Sequence, residues 1–170
     1  MKIAIIGQGK NTKHEIEEKA KELGREVARN KCVLVTGGCL GYPFAAVKGA
    51  LAEKGKTIAI SPAKDKKEHV DVYGFPLEQS EIAYTGLGIP GRNKEVVLNG
   101  DVVIAVGGSF GTLNELTTVM YEKKPLGVLI GSGGVADVAE QIVNACESYA
   151  LKDKVVYSDN PKELVKRLLK

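Results

Sequence analysis

Apolar and polar positions alternate along the chain between two patterns. Short apolar runs rich in β-branched residues occupy Lys2 to Ile6, Cys32 to Val35, Thr57 to Ile60 and Val102 to Val106, which suits parallel strands covered on both faces. Elsewhere the apolar residues recur at helical spacing. Ile16, Ala20, Leu23 and Val27 mark one face of Thr12 to Arg29, and Leu113, Leu116 and Met120 mark one face of the segment after Gly111. Helix is also predicted over residues 43 to 53, and a short one over Asn93 to Leu98 leads into the central strand. Glu81 to Tyr84, Leu126 to Ile130 and Val155 to Tyr157 complete the strands; Val135 to Ser148 and Pro161 to Leu169 are the helices that follow the last two. Ser61 to Gln79, polar, lysine-rich and weakly patterned, is expected to be a surface excursion.

Strand and helix in alternation are the signature of a parallel sheet wrapped by helices, so the predicted fold is α/β: a three-layer, Rossmann-like, doubly wound parallel sheet. Neither a repeat nor a linker interrupts the pattern, and residues 1–170 are expected to form a single Rossmann-like nucleotide-binding domain. Ligands of such sheets bind beyond the carboxyl ends of the strands. Three glycine-bearing turns fall there: Gly7-Gln8-Gly9, Gly37-Gly38 and Gly107-Gly108. The richest stretch is Asp101 to Met120, DVVIAVGGSFGTLNELTTVM, which reads as strand, glycine loop and helix. Gly107, Gly108 and Gly111 free the backbone to turn sharply and bring N–H groups close to a ligand. The helix behind them aims its N-terminal N–H groups and positive dipole end at the same place, and a phosphate is the natural guest. Each glycine taken alone equally fits a bare strand-to-helix turn; three such turns on one sheet edge point to a nucleotide or phosphate crevice.

Composition removes several function classes. The chain is 44% hydrophobic and 26% charged, ordinary for a soluble domain. Its net charge of +3 arises from 24 basic and 21 acidic residues spread over the whole length, with no block that would mark a nucleic-acid or membrane surface. Cys32, Cys39 and Cys146 are odd in number and lack C-x-x-C spacing, which argues against a disulfide framework and fits a reducing cytoplasm. No apolar run reaches membrane-spanning or signal-peptide length. Gly7-Gln8-Gly9 continues without the third glycine of a dinucleotide fingerprint, and no acid ends the second strand to hold a ribose, so NAD is not expected. His14 and His69, both flanked by charged residues, have no metal-ligand spacing to each other or to a cysteine; no metal site is expected, and both are read as solvated surface residues.

Gly107 to Glu115, GGSFGTLNE, resembles the P-G-G-x-G-T-x-x-E signature of the group once labelled lysine decarboxylase-like, which includes the cytokinin-activating nucleoside-monophosphate phosphoribohydrolases of the Lonely Guy family. Gly37-Gly38 to Ala50 is similar to that family's first glycine-rich turn and helix, and Arg92 stands where the family has an arginine. Gly91-Arg92-Asn93 is closer still to the molybdenum cofactor carrier proteins and to proteins distantly similar to the DNA-processing Smf proteins. The chain departs from the hydrolase pattern at Val106, where the signature has proline, and at Asn93, where it has lysine. No lysine stands out as a Schiff-base former, so decarboxylation is not expected.

The resemblance implies roles. Gly107, Gly108, Gly111 and Thr112 would bind phosphate, with Gly7, Gly37 and Gly38 lining the same crevice. Arg92 and Glu115 would flank the ribose as catalytic residues, the carboxylate stabilising positive charge at the anomeric carbon. Thr112-Leu113-Asn114-Glu115 equally fits a T-x-x-E capping box, and Arg92 equally fits a surface ion pair. The reading is a protein that binds a small phosphorylated, nucleotide-like ligand and requires no cofactor. It is a nucleoside 5′-monophosphate phosphoribohydrolase or, alternatively, a non-catalytic carrier of molybdenum cofactor or a related phosphorylated pterin. Single-stranded nucleic-acid binding of the Smf type ranks last, because 5% aromatics, no tryptophan and no basic stripe leave little to stack bases or release counterions. A homodimer or higher homo-oligomer is implied by the resemblance.

Overall fold

The structure is a computed structural model that describes residues 1–146 and 154–170. Strands and helices alternate strictly. The first half runs β1 (Lys2–Gly7), α1 (His14–Arg29), β2 (Val33–Thr36), α2 (Tyr42–Ala52), β3 (Thr57–Ser61), α3 (Lys66–Asp71) and β4 (Glu81–Tyr84). The second runs α4 (Gly88–Asn99), β5 (Val102–Val106), α5 (Phe110–Tyr121), β6 (Leu126–Leu129), α6 (Gly134–Ala145), β7 (Val155–Ser158) and α7 (Pro161–Leu168). All strands are parallel in one sheet ordered β4-β3-β2-β1-β5-β6-β7. The chain therefore winds outward from β1 in one direction, returns to β5 on the other side of β1, and winds outward again. This is the three-layer, doubly wound, Rossmann-like arrangement that the alternation predicts.

The layers follow from side chains alternating across each strand. Ile3 and Ile5 of β1, with Val102, Ile104 and Val106 of β5, pack into the cluster under α1, α2 and α7. Ala4 and Ile6, with Val103 and Ala105, face the opposite cluster with Val96, Val97, Leu116, Val119 and Ala139 from α4, α5 and α6. Every residue of β5 is buried, which is why its sequence is an unbroken apolar run. On the first face α1 and α2 approach very closely. A Cβ on Gly24 would lie 1.8 Å from the Ala46 carbonyl oxygen, and one on Gly49 would lie 1.9 Å from that of Lys21.

Three expectations change. Ser61 to Gln79 is no bare excursion: it contains α3, capped by the Asp65 side chain accepting from the Glu68 N–H. His69 is fully buried rather than solvated, while His14 is exposed as expected. The His69 ring meets Ser61 Oγ through Nδ1 (2.8 Å) and donates from Nε2 to the Pro76 carbonyl (3.0 Å). The charged neighbours that suggested a surface position point away from the one face of a short helix that is buried. The predicted helix at Asn93 begins earlier, at Gly88, so Arg92 lies inside α4 rather than ahead of it; glycine and proline in its first turn hide that start. Residues 147 and 148, the end of the helix predicted after β6, lie outside the described residues. Among the described residues no helix is long and apolar enough to cross a membrane.

Candidate functional site

β1 and β5 are neighbours whose helices leave on opposite faces, so their carboxyl ends open a crevice at the point where the winding reverses. A cavity of about 630 Å³ lies there, and its walls come from five segments of chain.

The turn after β1 contributes Gly7, Gln8, Gly9, Lys10 and Asn11. Gly7 is required by contact: a Cβ there would lie 2.2 Å from the Val106 carbonyl oxygen, the group that accepts from the Gln8 N–H at 3.1 Å. The turn after β2 contributes Gly37, Cys39 and Leu40. A Cβ on Gly37 would fall 2.0 Å from Arg92 Nη1, so this glycine makes the room into which the guanidinium extends. Burial pushes the Cys39 thiol up from its ordinary pKa, against the lowering effect of Arg92.

From the β5 side come Ser109, Gly111, Thr112 and Glu115. Ser109 is the N-cap of α5 and makes no side-chain cap bond, so no cap side chain occupies the first N–H groups of a helix whose opening residues Ser109, Gly111 and Thr112 line the crevice. The T-x-x-E capping box does not form. Helix begins at Phe110, so Thr112 is already helical and Glu115 lies in the second turn, too far along to reach the N-terminus.

Glu115 faces Arg92 of α4 instead. The two side chains are 6% and 7% exposed, with Nη1 and Oε1 3.6 Å apart, so Arg92 is a buried partner and not a surface ion pair. The pair is under-satisfied: Arg92 Nε is buried with no hydrogen-bond partner. Burial pushes the Glu115 carboxyl up to about 8, with Arg92 pulling it down by less, so its ionised form is disfavoured in the site and the guanidinium has a weakly matched partner at 3.6 Å. Asn93, also buried, donates from Nδ2 to Asn114 Oδ1 at 3.3 Å.

Gly7, Gly37, Arg92, Gly111, Thr112 and Glu115 thus share one cavity, whereas Gly38, Gly107 and Gly108 are not among its lining residues. Gly38 packs on His69. The Gly107 N–H donates to Ser132 Oγ (2.8 Å), and the carbonyls of Gly107 and Gly108 accept from Ala136 and Val135 (both 3.1 Å). The glycine pair therefore joins the β5 turn to the start of α6. Ser132 could not be found from the sequence, because nothing local marks a buried serine as the support of a distant loop. The apolar part of the wall was missed too. Val72, Tyr73 and Phe75, from the segment read as an excursion, line the cavity with Ile89 of α4.

Fold and topology define the class, a Rossmann-like α/β protein with an open crevice at its switch point. More narrowly, the chain belongs to the SLOG cluster4 family, whose profile it matches over residues 1–165. It is 31% identical over 157 residues to an uncharacterised protein of Archaeoglobus fulgidus, covering 89% of this chain and 98% of that one. Among solved structures, the molybdenum cofactor binding protein of Rippkaea orientalis superposes with a TM-score of 0.81 at 29% identity over 99% of this chain and 97% of its own. The molybdenum cofactor carrier protein of Chlamydomonas reinhardtii gives 0.79 at 27% identity over 99% and 98%. DNA processing protein A of Helicobacter pylori, which has a single-stranded DNA binding mode, shares the fold with a TM-score of 0.70 at 24% identity over 99% and 80%. At that identity the likeness shows a shared fold and leaves the expectation about nucleic acid untested.

Proposed function

We propose that the chain binds a small phosphorylated molecule carrying a heterocycle in the crevice between the β1 and β5 turns, and that it serves as a carrier of a phosphorylated pterin of the molybdenum cofactor type. The observation that carries this reading is the Arg92 guanidinium, buried at the cavity wall with an unpartnered Nε and, among the described residues, no nearer anion than the Glu115 carboxyl at 3.6 Å, whose ionised form burial disfavours. A buried cation whose anion is poorly placed and disfavoured by burial is costly. An anionic ligand supplies the missing charge, and the uncapped start of α5 adds N–H donors beside it. The likeness to two molybdenum cofactor proteins across almost the whole chain supports the pterin as the heterocycle.

The protonation of Glu115 favours a second reading, cleavage of a nucleoside 5′-monophosphate. A carboxyl titrating near neutrality can donate a proton to a departing base and then, ionised, stabilise positive charge at the anomeric carbon.

One experiment tests both. The protein is heated with phosphorylated pterins, nucleoside monophosphates and inorganic phosphate, and each mixture is chromatographed for released base. A carrier is stabilised and releases nothing. A hydrolase releases base, and Glu115→Gln lowers that turnover by ~100-fold or more. No stabilisation by any of these ligands defeats the binding role itself.

A further inference from the structure

The cavity is divided by chemistry. The polar and cationic part of its wall comes from Ser109 and Thr112 on the β5 side and from Arg92 and Asn93 of α4, with the Arg92 guanidinium reaching across to the β2 turn at Gly37. The segment that follows α3 supplies Val72, Tyr73 and Phe75, and among the lining residues Tyr73 and Phe75 are the aromatic ones. Strand order places this segment, which leaves β3, and the β5 turn on opposite flanks of β1.

The aromatic wall is held by specific bonds. The Gly74 N–H donates to the Val70 carbonyl and the Phe75 N–H to that of His69, both at 3.0 Å. Gly74 adopts φ +64°, so the chain reverses at the end of α3 through a conformation that suits glycine. His69 then clamps the turn from below. Its Nε2 donates to the Pro76 carbonyl, and its ring meets Phe75 edge-on with centroids 5.6 Å apart. Tyr73 and Phe75 lie beside one another, with centroids 5.5 Å apart and planes inclined at 38°. Both stay half-buried, a surface left open toward the cavity and not sealed into the core.

We infer that Tyr73 and Phe75 form the recognition wall for the planar ring of the ligand, while Arg92 and the start of α5 take its phosphate. This rests on the binding role proposed above and specifies it: the ligand must be an aromatic heterocycle joined to a phosphate, and the ring is selected by stacking. Stacking tolerates many aromatic rings, since each offers a π-face, so one site of this kind accepts a pterin or a purine and holds a sugar phosphate, which has no aromatic ring, more weakly.

The test measures binding by calorimetry for three probes: a phosphorylated pterin, a purine nucleoside 5′-monophosphate and ribose 5-phosphate. The variants are Tyr73→Leu and Phe75→Leu, which keep apolar volume and remove the π-face. Each is expected to weaken the ring-bearing probes by about tenfold or more and to leave ribose 5-phosphate within twofold. Arg92→Ala is expected to weaken all three. Tyr73→Leu leaves the Phe75 contact with His69 intact, so it decides the matter if Phe75→Leu loses stability. Equal loss for the aromatic probes and for ribose 5-phosphate, or no loss for either, overturns the inference and leaves the binding role standing. Wild-type protein that binds none of the three overturns both.

Discussion

At the scale of single residues the behaviour of the site is set by charge that is incompletely paired. Arg92→Ala removes the guanidinium and is expected to lower affinity for phosphorylated ligands at least tenfold, measured by calorimetry, because a charge-assisted contact to the anion disappears. Gly37→Ala is a subtler version. The added methyl would meet Arg92 Nη1 at 2.0 Å, and the end of a long side chain moves more easily than backbone. The protein should fold, and its affinity should fall several-fold as the guanidinium is displaced from its slot. Glu115 gives a pH signature. Its carboxyl, ordinarily near 4.5, is raised to about 8 in the folded protein, first by burial. The folded state holds that proton over a pH window in which the unfolded chain has released it. The stabilisation is complete below about 4.5 and is lost as pH rises through 8, with a slope of up to about 1.4 kcal/mol per pH unit. Unfolding titrations of wild type and Glu115→Gln should therefore diverge between these limits, the wild type losing stability relative to the variant as pH rises. Parallel profiles would show that Glu115 titrates normally.

At the scale of elements, two close approaches decide what the chain tolerates. The first holds α1 against α2, where Gly24 leaves no space for a side chain. Gly24→Ala would drive a methyl to 1.8 Å from the Ala46 carbonyl oxygen, and forcing the helices apart is expected to cost about 1–3 kcal/mol in denaturant unfolding. Helix propensity alone favours alanine over glycine, so the sign of the result separates packing from propensity. The second is the end of α3. A short polar helix with no apolar stripe reads as a loop, yet the structure buries its His69 side chain and uses the ring to hold Phe75. Predicting strands from apolar runs succeeded because a buried parallel strand excludes polar residues on both faces. Predicting this helix failed because six residues give too little periodicity to register.

At the scale of the whole molecule, ligand binding and stability are linked. A ligand bound only by the folded state at one hundred times its Kd should add about 2.7 kcal/mol to unfolding, visible as a rise in Tm that grows with ligand concentration. The sequence by itself determined the strand order along the chain, every helix but α3, the doubly wound sheet and the glycine turns beyond β1, β2 and β5, because apolar periodicity and backbone permissiveness are local properties of the chain. It also marked Arg92 and Glu115 as a pair of interest, through a resemblance rather than through any local rule. Only the tertiary structure decided that those two side chains meet in a buried, under-satisfied contact across α4 and α5. It decided that Gly37 makes room for Arg92 and that Gly107 and Gly108 bond to the start of α6. It also placed Tyr73 and Phe75 on the wall of the same cavity. Each of these depends on segments distant in the chain that the sheet brings together, and distance across a sheet leaves no periodic trace in the sequence.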